Sequence, residues 1–270
     1  MSRIEATFNE LGGHQAALVT YMMGGYPTLE RSLDIAGALI DGGADILEVG
    51  VPFSDPIADG PIIQSAAKKA LETGASLRGI LELCRAIREQ HSIPTVMMSY
   101  LNPIYQMGYN RFFEKANGSG LDGVIIPDLP LEESNNFRAI AQPNGIDVIL
   151  LAAPSTSPAR LNEIVSKTSG FLYLVSVYGV TGPRQKISAR SLKFIKRAVH
   201  TLSGQVPLSV GFGISKPEQA KKIVKTGANG VVVGSSLISE LLKSPTCSKD
   251  VLDRLRTKTR KLKKATVLLG

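Results

Sequence analysis

The stretch PLSVGFGISKPEQAKKIVKTGANGVVVGSSLI, residues 207–238, contains the pattern that decides the fold. A short apolar run, Pro207–Val210, is followed by a glycine cluster, a helical pattern at Pro217–Lys225 and a second apolar run at Gly230–Val233. This order predicts a strand, a helix and a second strand parallel to the first, joined by a right-handed crossover. Glycines follow both strands, where they let the backbone approach a ligand closely.

The same alternation runs along the whole chain. Apolar runs predict eight strands, at Ala17–Met23, Asp45–Gly50, Pro94–Ser99, Gly123–Ile126, Asp147–Ala152, Phe171–Ser176, Pro207–Val210 and Gly230–Val233. Helical patterns lie between them, at Leu29–Asp41, Leu77–Gln90, Glu132–Ala141, Pro158–Lys167, Leu192–Val199 and Pro217–Lys225. Runs such as VIIP, VILLAA and VVVG are apolar on both faces, which is typical of strands in a buried parallel sheet.

A closed barrel fits this pattern better than an open doubly wound sheet. Eight strands match a (β/α)₈ TIM barrel, and the glycine clusters come late, after the seventh and eighth strands. A dinucleotide-binding fold carries its glycine fingerprint after the first strand, which ends here in MGGYP. The 270 residues show no linker, so we expect one TIM-barrel domain over residues 1–270.

Three segments do not belong to the regular alternation. Arg3–Leu11 predicts an extra N-terminal helix that caps the bottom of the barrel. Short inserted helices are expected after strands two and eight, the first at Pro61–Thr73 and the second with Ser235 as its N-cap. Tyr178–Arg190 is a long polar loop after the sixth strand, suited to a lid.

The formal net charge of +8 comes mostly from the last 20 residues, which hold seven Lys or Arg and one Asp. Leu252, Leu255 and Leu262 recur at near-helical spacing there, so the tail predicts an amphipathic helix with a solvated basic face. An anionic partner is the alternative, but no aromatic residues lie among these charges, so we expect no nucleic-acid partner. The sequence shows no membrane span.

Neither cysteine nor histidine predicts a metal site. Cys84 lies within an apolar helical pattern and is expected in the core, whereas Cys247 stands alone. The three histidines, His14, His91 and His200, are scattered. A reducing compartment fits two isolated cysteines.

Glu48 is the strongest candidate for catalysis. It lies in the second strand, DILEVG, where Ile46, Glu48 and Gly50 share one face and are expected to point into the barrel. An ionised carboxylate there must be paired, hydrogen-bonded or protonated. Both a structural carboxyl with a basic partner and a general acid or base with a shifted pKa remain open.

The loop that follows, VPFSDPIADGP, carries two aspartates, Asp55 and Asp59, among three prolines. Active-site groups of TIM barrels come from the C-terminal ends of strands and from the loops after them. Aspartates in such loops are also frequent turn formers. The spacing alone therefore does not decide which aspartate has a chemical role.

The glycines after the last two strands predict a phosphate site, because backbone N–H groups at helix starts bind anions. The seventh strand ends in VGFGIS and the eighth in VVVGSSLI. Tyr173 in the sixth strand alternates inward, and Thr181 and Gly182 in the following loop lie within reach of such a pocket. Simple tight turns, and a tyrosine that only fills the barrel, are the alternatives.

These motifs resemble the tryptophan synthase α subunit family. The resemblance rests on LEVGVPFSDPIADGPIIQ, PDLPLEES, VSVYGVTG, VGFGISKPEQ and GVVVGSSLI, which occur in the family's order over residues 1–245. It implies a lyase of tryptophan biosynthesis that cleaves indole-3-glycerol phosphate to indole and glyceraldehyde 3-phosphate by acid–base, retro-aldol chemistry. Tyr178 is bulkier than the residue expected before GVTG, and the basic tail lies outside the family pattern.

The resemblance also implies roles for individual residues. Glu48 and Asp59 match the family's two catalytic acids, and Asp55 matches a loop residue without that role. The remaining matches are supporting residues (Tyr173, Thr181), phosphate contacts (Gly182, Gly213, Gly234, Ser235) and the wall of the substrate pocket (Tyr21, Ile125, Leu151, Phe212).

A partner follows from the resemblance as well. It implies a β subunit that carries pyridoxal phosphate in an α₂β₂ complex, no cofactor or metal in this chain, and a cytoplasmic or plastid-stromal location. Three other functions stay open: a stand-alone lyase, a phosphosugar isomerase with the same barrel, and a weakly active chain that mainly activates a partner.

Overall fold

The computed structural model describes residues 1–175, 187–211, 213–244 and 247–267. Its strands are β1 (Ala17–Met23), β2 (Ile46–Gly50), β3 (Thr95–Met98), β4 (Gly123–Ile125), β5 (Asp147–Ile149), β6 (Leu151–Ala152), β7 (Leu172–Val175), β8 (Leu208–Gly211) and β9 (Gly230–Val233). Its α-helices are α1 (Arg3–Glu10), α2 (Leu29–Asp41), α3 (Pro61–Glu72), α4 (Leu77–Gln90), α5 (Leu101–Met107), α6 (Tyr109–Gly118), α7 (Ser134–Ala141), α8 (Pro158–Lys167), α9 (Ala189–Leu202), α10 (Pro217–Val224), α11 (Ser235–Leu242) and α12 (Lys249–Lys264). A 3₁₀ turn follows α7 at Gln142–Asn144.

All pairings within the sheet are parallel, in the order β5-β4-β3-β2-β1-β9-β8-β7-β6. The two outermost strands, β5 and β6, are separated along the chain by Leu150 alone, so the sheet forms a nearly closed barrel. The predicted fifth strand, Asp147–Ala152, is thus interrupted. At the break, the Leu150 N–H donates to the Thr168 hydroxyl at 3.0 Å. The predicted TIM barrel is otherwise confirmed, with strand bounds correct to within one or two residues.

The barrel has two apolar cores, one inside the sheet and one between the sheet and the helices. The inner core contains Ile4, Val19, Ile46, Val96, Ile125, Ile149, Phe171 and Val232. Leu47 and Val49, which alternate with Ile46 along β2, belong to the outer core with the helices. The predicted alternation of β2 is confirmed, and it directs Glu48 to the inside.

Helix α1 closes the bottom of the barrel, as the sequence predicted. Ser2 and Glu5 form a reciprocal capping box, with N–H to side-chain distances of 3.2 and 2.9 Å. The buried face of α1 then inserts Ile4 into the inner core, and the Phe8 ring lies 5.9 Å from the ring of Phe171. The bottom is therefore sealed, and ligands are restricted to the opposite end.

The segment after β3 is helical, whereas the sequence analysis left it without a predicted helix. Helices α5 and α6 fill it and are joined at Gly108, whose φ is +84°. The N–H of Leu101 is capped by the Asp128 carboxylate at 2.9 Å, and Ile104 is fully buried. The cap comes from a residue that follows a different strand, so no local pattern announced it.

The basic tail forms helix α12, which packs its apolar face on the barrel, as predicted. Val251, Leu255 and Leu262 are buried. Part of the basic face is paired within the chain, by Arg256–Asp41 (3.1 Å), Lys258–Glu240 (3.2 Å) and Lys263–Asp45 (2.6 Å). Among the described helices, none is long and apolar enough to cross a membrane.

Replacing Ile4 by Ala should lower the free energy of unfolding by about 2–4 kcal/mol, because a cavity opens in the inner core. Chemical denaturation of the isolated chain measures this loss. Ile57→Ala is the matched control, since the Ile57 side chain is 76% exposed and its removal should change stability by about 0.5 kcal/mol or less. Equal losses in the two variants would mean that α1 does not seal the barrel.

Candidate active site

Glu48 is buried inside the barrel near the end of β2. Its exposed fraction is 1%, and neither carboxyl oxygen has a hydrogen-bond partner among the described residues. Burial, and secondly the charge of Asp59, raise the pKa of Glu48 to about 8. No basic side chain pairs with Glu48 among the described residues, so the alternative of a structural ion pair finds no support there. At neutral pH, the raised pKa keeps the Glu48 carboxyl protonated.

Asp59 lies in the loop between β2 and α3 and turns back toward the barrel. The side chain is 5% exposed, and the loop backbone is held by the Asp59 N–H on the Pro56 carbonyl (3.1 Å) and the Gln64 amide on the Asp59 carbonyl (2.9 Å). Burial raises the pKa of Asp59 to about 6, and a hydrogen bond with Tyr100 opposes that rise. Asp55, in contrast, is exposed and accepts from the Ser54 hydroxyl.

Tyr100 is a site residue that was not among the candidates from the sequence. Its hydroxyl accepts from the Ala58 N–H at 2.9 Å and also bonds to Asp59. Its ring stacks on Phe53, with centroids 5.2 Å apart. The available signal was its position two residues after β3, at the end of the barrel where active-site groups gather.

Two inward tyrosines occupy the mouth of the barrel above glycines of neighbouring strands. The Tyr21 ring lies against the α-carbons of Gly50 and Gly234, so that an added Cβ at Gly234 would lie 3.1 Å from the ring. The Tyr173 ring lies against Gly211, with 2.8 Å to an added Cβ. Burial and the two nearby carboxyl groups raise the pKa of both tyrosines, so both hydroxyls stay protonated. The space beside Gly50, where a larger residue would place its side chain, is thus filled by Tyr21.

Two of the residues predicted to line the pocket, Ile125 and Leu151, lie at the inner core of the barrel. Ile125 belongs to the inner core, and Leu151 and Tyr173 pack against it as partly buried neighbours. Three predicted site residues, Thr181, Gly182 and Phe212, lie outside the described residues.

The predicted phosphate residues lie at the ends of neighbouring strands β8 and β9. Gly213 has φ +61°, in the left-handed region that favours glycine. Gly234 is the N-cap of α11 and its carbonyl accepts from the Leu237 N–H at 2.8 Å. Ser235 is therefore the first residue of the helix and not its N-cap, one position off the prediction. The first N–H groups of α11 have no acceptor within the helix, which suits an anion.

The site combines a protonated acid and an ionised base in one pocket at neutral pH. The pKa of about 8 keeps Glu48 protonated, while the pKa of about 6 leaves most Asp59 ionised. Acid and base with separated pKa values are typical of active sites. The described residues contain no group of three His, Cys, Asp or Glu side chains that could hold a metal ion.

Glu48→Gln should stabilise the fold at alkaline pH. The folded pKa of Glu48, about 8, lies above its ordinary value of 4.5, so wild-type stability falls as pH rises from about 4.5 to about 8, and the loss is complete above about 8. The variant lacks this loss, so its free energy of unfolding should exceed that of the wild type by about 2–4 kcal/mol at pH 9 and show no such gain at pH 5. Urea denaturation at both pH values measures the difference, and Glu163→Gln at an exposed helical position is the control. A difference in the free energy of unfolding that does not change with pH would mean that the pKa of Glu48 is not raised in the folded chain.

The comparisons with known proteins agree on one family. The sequence model described as "Tryptophan synthase alpha chain" matches residues 9–267. Proteins named tryptophan synthase alpha chain are 46% identical in Carboxydothermus hydrogenoformans, covering 97% of this chain and 99% of the relative, and 41% identical in Methanosarcina mazei, covering 97% and 93%.

Solved structures show the same relationship. A chain of Mycobacterium tuberculosis tryptophan synthase superimposes with a TM-score of 0.89 at 34% identity, over 99% of both chains. The tryptophan synthase subunit alpha of Legionella pneumophila superimposes with a TM-score of 0.86 at 34% identity, over 98% of both chains. These matches extend over the whole barrel and include the strands that carry Glu48 and Tyr173 and the strands that end at Gly211 and Val233. The chain belongs to the tryptophan synthase alpha chain family.

Proposed function

We propose that this chain cleaves indole-3-glycerol phosphate to indole and glyceraldehyde 3-phosphate, with Glu48 and Asp59 as its catalytic acids. The reaction is that of the family to which the chain belongs. The observation that carries the assignment of residues is the buried pair itself. Glu48 lacks any hydrogen-bond partner among the described residues, and Asp59 is held beside it by Tyr100.

The pair fits the two charges that the reaction develops. Protonated Glu48 gives its proton to indole C3, which disrupts the aromatic ring and leaves positive charge at the indole nitrogen. Ionised Asp59 stabilises that charge by accepting a hydrogen bond from the indole N–H. The Glu48 carboxylate then takes the proton of the glycerol hydroxyl beside the breaking bond. The C–C bond electrons return to the ring, and indole and the aldehyde are released.

The phosphate group is a remote handle that holds the reacting carbons in place. Gly213, Gly234 and Ser235 are positioned for it at the ends of β8 and β9, and Gly182 is a further contact by family resemblance. Binding energy from this end of the substrate orients indole C3 toward Glu48. Tyr21, Ile125 and Leu151 then line the pocket for the indole and glycerol parts, and the family resemblance adds Phe212 to this set.

A phosphosugar isomerase is the runner-up reaction class. The glycines at the strand ends suit that class as well, but an isomerase does not require an indole-sized apolar wall or a second acid beside Glu48. A stand-alone lyase would use the same residues without a partner.

The exposed apolar residues near the barrel mouth favour a partner. A groove of about 780 Å³ lies between the β2–α3 loop and α3, lined by Phe53, Ser54, Asp55, Pro56, Ile57, Gln64, Lys68, Leu71 and Glu72. Ile57 is 76% exposed, Leu71 is 37% exposed, and Tyr105 on α5 is 66% exposed. We propose a β subunit as the occupant, in an α₂β₂ complex that consumes indole on the partner's pyridoxal phosphate. The groove includes the loop that carries Asp59, so docking acts directly on the catalytic acids.

Glu48→Gln should lower the rate of indole formation from indole-3-glycerol phosphate by about 10²- to 10⁴-fold, because the titrating group is lost while its shape is kept. Asp59→Asn should also be severe, and Asp55→Asn should be mild because Asp55 is exposed. Steady-state indole release measures all three. Retention of more than about a tenth of wild-type turnover by Glu48→Gln, or a larger loss in Asp55→Asn than in Asp59→Asn, would refute the assignment.

Glycerol 3-phosphate should raise the melting temperature of the wild type, because it binds only the folded site. Gly234→Val should abolish this shift, since the added side chain blocks the anion and crowds Tyr21. Gly118→Val is the matched control, because no heavy atom lies within 4 Å of its added Cβ. A shift that survives in Gly234→Val would move the phosphate site away from β9.

Ile57→Asp should weaken association with the β subunit of the same organism at least tenfold, because a charge replaces an apolar contact in the groove. Sedimentation at micromolar concentration measures the complex. Val267→Asp, at an exposed apolar position outside the groove, should leave association unchanged. Equal association of both variants would argue that the partner does not dock on this groove.

A further inference from the structure

Glu48 needs a hydrogen-bond donor once it has given up its proton. A carboxylate inside an apolar barrel is costly unless a donor or a positive charge faces it. Among the described residues, neither Glu48 oxygen has a partner, and Asp59 adds a second negative charge nearby. Among the described residues, a donor for the ionised state must therefore be a nearby side chain whose hydrogen-bonding group is not already engaged.

Within the part of the chain that the structure describes, the titratable groups around the two carboxyls come from four places. They are Tyr21 on β1, Asp59 in the β2–α3 loop, Tyr100 after β3 and Tyr173 on β7. The Tyr100 hydroxyl is already engaged with the Ala58 N–H and Asp59. The hydroxyls of Tyr21 and Tyr173 have no hydrogen bond to another described residue, so they are the available donors.

Tyr21 has the more favourable position of the two. Its Cα is the direct partner of the Glu48 Cα in the pairing of β1 with β2. Its hydroxyl lies over Gly50, the next residue on the same inward face of β2. Alternate residues of a strand are about 6.5–7 Å apart, a distance that a glutamate side chain largely spans by rotation about its own bonds.

The glycines on either side hold the ring in this position. A Cβ at Gly50 would collide with the Tyr21 hydroxyl, and a Cβ at Gly234 would press on the opposite end of the ring. The ring is thus confined between the ends of β2 and β9, with the hydroxyl on the β2 side. A phenylalanine would fill the same space without offering a donor.

We propose that Tyr21 is a positioning residue whose hydroxyl donates a hydrogen bond to the ionised Glu48 carboxylate during cleavage. The bond stabilises the carboxylate after C3 protonation and aims it at the glycerol hydroxyl. This inference rests on the proposed function for its catalytic consequence, but the interaction itself is a property of the unliganded chain.

Tyr21→Phe tests it by two measurements. A donor to the charged form lowers a pKa, so its removal should raise the pKa of Glu48 by about one unit. In the pH profile of kcat/KM, the alkaline limb near pH 8 should move upward, while the acidic limb near pH 6, set by Asp59, should stay. Turnover should fall about tenfold because the carboxylate is less stable after proton transfer.

The second measurement needs no activity. A ¹³C NMR titration of the Glu48 carboxyl carbon, assigned by its disappearance in Glu48→Gln, should show the same upward shift in Tyr21→Phe. Tyr100→Phe should move the acidic limb and not the alkaline one. Tyr109→Phe, at the start of α6 and away from the carboxyls, should move neither.

The outcomes distinguish the hydrogen bond between Tyr21 and Glu48 from the proposed lyase function. An unshifted Glu48 pKa in Tyr21→Phe would overturn the inference, and so would a rise in KM alone, which would mean that the hydroxyl contacts substrate. A shift seen only in Tyr173→Phe would assign the donor to β7 and also overturn it. If the carboxyl titration shifts but the wild type releases no indole, the inference stands and the proposed function fails.

Discussion

The burial of one carboxyl group inside the barrel is the constraint on which the rest of the site depends. Glu48 is almost fully buried and unpaired among the described residues, and its pKa is raised to about 8. Such a group costs stability whenever it ionises, and a purely structural design would place an apolar residue there. The neighbouring features suit proton transfer by the Glu48 carboxyl. They are a second acid of lower pKa, tyrosine hydroxyls, and glycines that make room for the tyrosine rings.

The barrel makes this arrangement possible because one end is closed by a helix and the other end carries the side chains of the site. At the bottom, α1 inserts Ile4 into the inner core and closes access. At the top, residues from β1, β2, β7 and β9 meet within one pocket, although they are far apart in the chain. The inner core lies between these ends and holds the strands rigidly, so that the backbone positions of Glu48 and Tyr21 are fixed relative to each other.

Long-range contacts hold the loops at the mouth of the barrel. Asp128, which follows β4, caps the helix that follows β3, and Tyr100 at the start of that helix holds the loop carrying Asp59. This chain of contacts connects three successive units of the barrel. It also connects Asp59 to the groove around Ile57, because the loop that carries Asp59 also lines the groove. A partner that occupies the groove therefore has a direct mechanical route to Asp59.

The sequence by itself determined the barrel, the inward direction of Glu48 and the glycine clusters at the ends of the last two strands. These follow from local rules: period-two alternation in strands, period-3.6 patterns in helices, and glycine where backbone must approach a ligand. Motif resemblance added Asp59 over Asp55, which spacing alone did not decide. Only the tertiary structure distinguishes the two environments, since Asp59 is buried and bonded to Tyr100 while Asp55 is exposed. It also decided the helices after β3, the break at Leu150 and the role of Tyr100. Each of these depends on a partner distant in the chain. The pKa of Glu48 likewise depends on burial, which arises only when several segments of the chain pack around the carboxyl group.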